Sequence, residues 1–229
     1  MGLASHLRWH ESERTRFLLT TVAIIGAGPL GRWLALAGAR AGYRVLLEDV
    51  MPANLHHAEE YIRQALGPEA LGNTSSPEAG EGSRYLRSHN RDLGHPSNST
   101  SERLPVEFVS TVEDAVREAD LAIDCVPDDL ESKLEILWLL DRMAPPKTVL
   151  ATPTTRLSIA DLAGCTYRAD RCVGIAVDPR DFSHIAESGS GAPLVLRTTE
   201  RTAVEAVELV RQFWERLGVE VTVEHVPSL

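Results

Sequence analysis

Short apolar runs alternate along this chain with stretches of helical period. "TVAIIG", ending at Gly26, carries no charge and reads as a strand buried on both faces. After it, Leu30, Trp33, Leu34, Ala37 and Ala41 recur at helical spacing, which predicts a helix with those residues inward and Gly42 as its stop. "YRVLLED" reads as the next strand, and a helix from Asn54 to Leu66 would turn Leu55, Ala58, Ile62 and Ala65 inward. Further strands follow at "VEFVS", "LAIDCV", "TVLATP", "CVGIAVD", "PLVLRT" and "EVTVEHV". The helical patterns between them are a short segment that Thr111 and Asp114 cap, the stretch Asp129–Arg142, "SIADLAG", and a last helix with Val204, Val207, Val210, Trp214 and Leu217 inward. This repeated β-α alternation predicts an α/β protein whose mostly parallel sheet is covered by helices on both faces.

Two segments fall outside the pattern. Residues 1–20 form a polar N-terminal extension, and residues 67–104 are dominated by Ser, Gly, Asn, Pro and Glu in "GNTSSPEAGEGS" and "GHPSNSTSE". So few apolar residues cannot offset the entropy of ordering, which predicts a mobile surface loop inserted into one domain spanning 21–229. No internal repeat or second core is visible.

Composition narrows the function classes. With 43% hydrophobic residues among 229, the chain can bury one sizeable core. A net charge of −10 without any Lys/Arg block argues against nucleic-acid and anionic-membrane partners. The opening "MGLASHLRWHESERTRF" is too polar for a signal peptide, and no apolar run approaches a membrane span, so a cytoplasmic protein is expected. Cys125, Cys165 and Cys172 lack ligand spacing, as does the pair His56-His57; no metal site is expected, and the thiols read as free in a reducing compartment. The glycosylation-type triplets at Asn73 and Asn98 carry no meaning there.

The candidate chemistry sits in "AIIGAGPLG". Gly26, Gly28 and Gly31 form G-x-G-x-x-G between the first strand and the first helix, enclosing Ala27, Pro29 and Leu30. The first glycine permits the tight turn, the second a close approach to a pyrophosphate, and the third close packing of helix on strand. The helix N-terminus supplies amide donors and a positive dipole. Asp49 ends the second strand about 20 residues on, where a carboxylate accepts hydrogen bonds from the adenosine ribose and repels a 2′-phosphate. No Arg follows it, so NAD is the expected cofactor, in a doubly wound Rossmann-type sheet.

Beyond the fingerprint, "ADLAIDCVPDDLESKLEIL", "TVLATPTTRLSI", "DRCVGIAVDP" and "LGVEVTVEHVPSL" resemble the NAD-binding domain of 3-hydroxyacyl-CoA dehydrogenases, from Thr21 to Leu229 apart from the inserted loop. The resemblance implies that Cys125 and Val126 line the cofactor site, that Asp128 stands for a family Glu, and that Lys133 lies beside the cofactor. On the residues alone, Asp128 also reads as a helix-start carboxylate and Lys133 as an exposed helix lysine.

The departures from the family concern catalysis. The family's base is a His a few residues before an Asn-Pro, oriented by a Glu; this sequence has Ile175, Ala176 and Val177 before Asp178-Pro179, and Leu194 or Val195 where the Glu would fall. The family's Asn-Thr-Ser-Ser appears as Pro153-Thr154-Thr155-Arg156, which keeps a substrate-facing hydroxyl only at Thr155. The helical domain that would follow is not in this sequence. These features imply an NAD(H)-binding protein without the family's catalytic pair, and leave the catalytic residues unknown. The alternative is an active oxidoreductase on a hydroxyacyl or other small hydroxy substrate, using Thr155 or His184, the latter flanked by Asp178 and Asp181. A homo-oligomer and a separate partner subunit both stay open.

Overall fold

A computed structural model describes residues 19–66, 106–180, 182 and 193–227. The extension up to residue 18, the segment 67–105, Asp181, His184, Asn73 and Asn98 lie outside the described residues. The strands are β1 (Thr21–Ile25), β2 (Arg44–Glu48), β3 (Val106–Val109), β4 (Leu121–Asp124), β5 (Val149–Pro153), β6 (Cys172–Ile175), β7 (Leu194–Thr198) and β8 (Val221–His225). The helices are α1 (Pro29–Arg40), α2 (Pro52–Leu66), α3 (Val112–Val116), α4 (Leu130–Met143), α5 (Ile159–Gly164) and α6 (Val204–Arg216).

The eight strands form one sheet in the order β3-β2-β1-β4-β5-β6-β7-β8. All pairs are parallel except β6 with β7. The winding therefore reverses between β1 and β4, and the crevice at the carboxyl ends of those strands is where open α/β sheets hold their ligands.

Strand alternation feeds two cores. Val22, Ile24, Leu47 and Ile123 point to the side covered by α1, α2 and α6, where Leu34, Ile62, Phe213 and Trp214 meet them. Ala23, Ile25, Leu46 and Ala122 point to the other side, against Ala115 of α3, Leu137 and Leu140 of α4 and Leu162 of α5. Burial of both faces explains the near-continuous apolar strands.

Three helices differ in detail from the sequence expectation. In α2 only Ala58 and Ile62 are fully buried, and Ala65, in the last turn, is exposed. In α6 the buried set is Ala206, Leu209, Val210, Phe213 and Trp214, while Val204, at the first helical position, is 78% exposed. Helix α1 is buried more widely than one stripe, through Leu30, Leu34, Ala35, Leu36 and Ala39, because α6 packs beside it, with Trp33 stacked on Trp214. Gly42 ends α1 at φ +84°, as its position implied.

Candidate nucleotide-binding site

The glycine turn joins β1 to α1, and its three glycines meet different constraints. Gly26 sits at φ +103°, a conformation side chains rarely adopt, and donates its amide to Glu48 O at 2.8 Å. A Cβ on Gly31 would lie 1.8 Å from Gly26 O, so the helix rests directly on the turn. A Cβ on Gly28 would meet nothing within 4 Å. Gly28 is also the N-cap of α1, with no side chain capping the helix, and Pro29 at the first position brings no N–H of its own. Open space above an uncapped helix start is the arrangement a phosphate fits. Ala27 and Leu30 are buried and anchor the turn in the core.

Asp49 follows β2 and is buried. Its Oδ2 accepts from Ala27 N at 2.8 Å and its Oδ1 from Met51 N at 2.8 Å. Asn54 Nδ2, in the first turn of α2, lies 3.1 Å from each oxygen. The carboxylate thus ties the glycine turn to the β2–α2 turn, beside the exposed side chains of Val50 and Met51. The preceding residue, Glu48, is also buried, and desolvation, helped by the Asp49 charge, pushes its carboxyl up to about 7. The sequence reading did not single out Asn54 or Glu48. The signals were an Asn at the start of the helix after Asp49, and a carboxylate inside an otherwise apolar strand.

The second wall comes from the end of β4. Cys125 donates its amide to Ile25 O at 2.7 Å, and a Cβ at Gly26 would come within 3.0 Å of Cys125 O, so this loop lies against the glycine turn. Burial pushes the Cys125 thiol far up, reinforced by the Asp124 charge against the opposing Lys133, so the sulfur stays a protonated, inert wall. Val126 beside it is half-buried.

Lys133 is not an exposed helix lysine. It is fully buried on the inner face of α4, with Nζ 2.6 Å from Asp124 Oδ1. Nor is Asp128 the helix-start carboxylate: Asp129 caps α4, accepting from Ser132 N at 3.0 Å. Asp128 Oδ2 instead accepts from Thr155 N at 3.0 Å, and Arg156 Nη2 donates to Asp128 O at 3.0 Å, joining the β4–α4 and β5–α5 loops. Thr155 is exposed, with its hydroxyl 3.5 Å from Asp128 Oδ2. Asp124 Oδ2, Asp128 Oδ1 and Thr152 Oγ1 are buried oxygens of this wall without a hydrogen-bond partner among the described residues.

At the ends of β6 and β7 the residues are apolar and belong to the core. Ile175 and Val177 are fully buried, and Ala176 donates its amide to Val195 O at 2.9 Å, next to buried Leu194. Asp178 folds back on its own turn, accepting from Arg180 N at 2.8 Å. His56 and His57 sit on the exposed face of α2, with His56 3.4 Å from Glu60. Among the described residues no helix is long and apolar enough to cross a membrane.

The model of the family described as 3-hydroxyacyl-CoA dehydrogenase, NAD binding domain, matches residues 21–225. The probable 3-hydroxybutyryl-CoA dehydrogenase of Bacillus subtilis is 26% identical over 193 residues, which cover 83% of this chain and 58% of the relative. The 5-formyl-3-hydroxy-2-methylpyridine 4-carboxylate 5-dehydrogenase of Mesorhizobium japonicum is 26% identical over 204 residues, 88% of this chain and 56% of the relative. The chain thus spans little more than half the length of these relatives. In fold it is similar to the 3-hydroxyacyl-CoA dehydrogenase of Archaeoglobus fulgidus, with a TM-score of 0.64 at 24% identity over 92% of this chain and 58% of that one.

Proposed function

The chain belongs to the 3-hydroxyacyl-CoA dehydrogenase family through its NAD-binding domain, and from that premise we propose that it holds NAD(H) without performing the family's standard oxidation of a hydroxyacyl thioester. NAD is the cofactor of this domain, and the residues present fit it. The uncapped start of α1 over Gly28 offers amides and dipole to the pyrophosphate, and Asp49 offers acceptors to the adenosine ribose. Cys125 and Val126 form the wall against the glycine turn, and Lys133, held by Asp124, supplies a cation behind it. When bound, the nicotinamide supplies the hydride acceptor or donor.

The observation that carries the second half is the contact between Ala176 and Val195. The two meet at 2.9 Å within the stretches, 175–177 and 194–195, where the family resemblance implies a His and its orienting Glu, and none of those side chains can take a proton. General-base assistance contributes roughly 10²–10⁴-fold. Its loss leaves a site that holds the nucleotide but has no group at that place to receive the hydroxyl proton. A second reading, an oxidoreductase on a smaller hydroxy substrate, draws on Thr155 and on Asp128 beside it, whose Oδ1 has no hydrogen-bond partner among the described residues. Calorimetry with NADH, paired with turnover measurements on hydroxyacyl-CoA and small hydroxy acids, separates the readings. Binding without turnover supports the first, turnover supports the second, and absence of binding overturns both.

A further inference from the structure

The Asp49 carboxylate has its hydrogen-bonding positions filled by the protein itself. Oδ2 accepts from Ala27 N at 2.8 Å and Oδ1 from Met51 N at 2.8 Å, while the Asn54 amide nitrogen straddles the two oxygens at 3.1 Å each. An ionised carboxylate offers about four lone-pair positions, and these contacts occupy all of them. A ribose that donates one hydroxyl to each oxygen therefore has to displace a donor.

The donors are not equally free to leave. Ala27 N belongs to the glycine turn, fixed between Gly26, whose amide is held by Glu48 O, and the start of α1. Met51 N belongs to the β2–α2 turn, whose carbonyl accepts from Asn54 N at 2.9 Å. Asn54, by contrast, reaches Asp49 through a rotatable side chain on an exposed residue of α2. Its amide can turn to water without itself being left unpaired. The main-chain donors alone hold the carboxylate, one on each oxygen, so Asn54 is not needed to orient it. What Asn54 does is fill the remaining lone pair on each oxygen, the same two positions that a 2′,3′-diol would take.

We propose that Asn54 is a placeholder for the adenosine ribose diol: it satisfies buried Asp49 in the free protein and is displaced when the nucleotide binds. The proposal rests on the NAD(H) reading of the site. A buried carboxylate with unfilled acceptor positions is costly, so the placeholder stabilises the free protein and weakens nucleotide binding by competing for the same acceptors.

The test is calorimetric titration of the wild-type chain, Asn54→Ala and Asn54→Leu with NADH, ADP-ribose and the 2′,3′-dideoxy analogue of ADP-ribose, together with thermal melts of the free proteins. Both variants should bind NADH and ADP-ribose about three- to tenfold more tightly, the worth of one ordinary hydrogen bond. They should gain nothing with the dideoxy analogue, and should melt roughly 2–4 °C lower when free. Unchanged or weaker binding of NADH by both variants overturns the proposal, and so does an equal gain with the dideoxy analogue. Failure of the wild-type chain itself to bind NADH or ADP-ribose overturns the cofactor reading, a result distinct from the other two.

Discussion

Lys133 and Asp124 form an ion pair without any exposure to solvent, Nζ lying 2.6 Å from Oδ1. Breaking such a pair by removing one partner leaves an uncompensated buried charge and costs about 3–5 kcal/mol. Lys133→Met and Asp124→Leu should each show that loss in urea unfolding. The double variant should lose less than either single one. Additive losses in the double variant would contradict the idea that each charge is retained by the other.

Glu48 gives the free protein a pH dependence whose sign is fixed by its burial. Its carboxyl is raised from the ordinary 4.5 to about 7, first by desolvation and then by the Asp49 charge. Below the ordinary value both folded and unfolded chains are protonated and nothing is lost. As pH rises toward 7 the unfolded chain ionises first, so stability falls, by up to roughly 3 kcal/mol, and then levels off. Glu48→Gln should therefore match the wild-type melting temperature near pH 4.5 and exceed it at pH 8. An equal difference at both values would remove the carboxyl as its cause.

The glycines of the turn should separate packing from binding. Gly31→Ala places a Cβ 1.8 Å from Gly26 O and should strongly destabilise the fold. Gly28→Ala meets nothing in the free protein, so its melting temperature should change little, while NADH affinity drops at least about tenfold because the methyl fills the approach to the helix start. A Gly28→Ala protein that binds NADH normally would place the pyrophosphate elsewhere.

Asp49 should set the choice between nucleotides. Its buried carboxylate repels a 2′-phosphate, and no Arg follows to receive one. The wild-type chain should prefer NADH to NADPH, and Asp49→Ala should narrow the gap, mostly by weakening NADH. Equal affinities in the wild-type chain would count against the role given to this residue.

These residues also show how far the sequence could be read. The strand order of alternation, the glycine turn and the carboxylate after β2 are local features, set by spacing within a single β-α-β unit, and they could be read directly. The environment of Lys133 was not readable, because its partner Asp124 lies on the sheet face that α4 happens to cover, and a helix lysine looks the same whether it faces core or water. Asp128 and Asp129 are adjacent carboxylates that both stand at the start of α4; Asp129 takes the cap by accepting from Ser132 N, while Asp128 turns to Thr155, 27 residues away. Val204 and Ala65 fit the apolar period of their helices yet lie exposed in an end turn, where period no longer implies burial.

On the proposed reading the chain holds NADH and lacks the base. The most direct measurement is NADH oxidation by the purified chain with acetoacetyl-CoA, at an NADH concentration that calorimetry shows to be saturating. NADH should then occupy the site fully while the rate stays at least about 10²-fold below that of an active family member, the low end of what a missing general base costs. Ala176→His alone should restore little on this reading, since Leu194 or Val195 stands where the family resemblance implies the orienting Glu. Turnover at a rate comparable to that of an active family member, with Ala176 and Val195 unchanged, would contradict it.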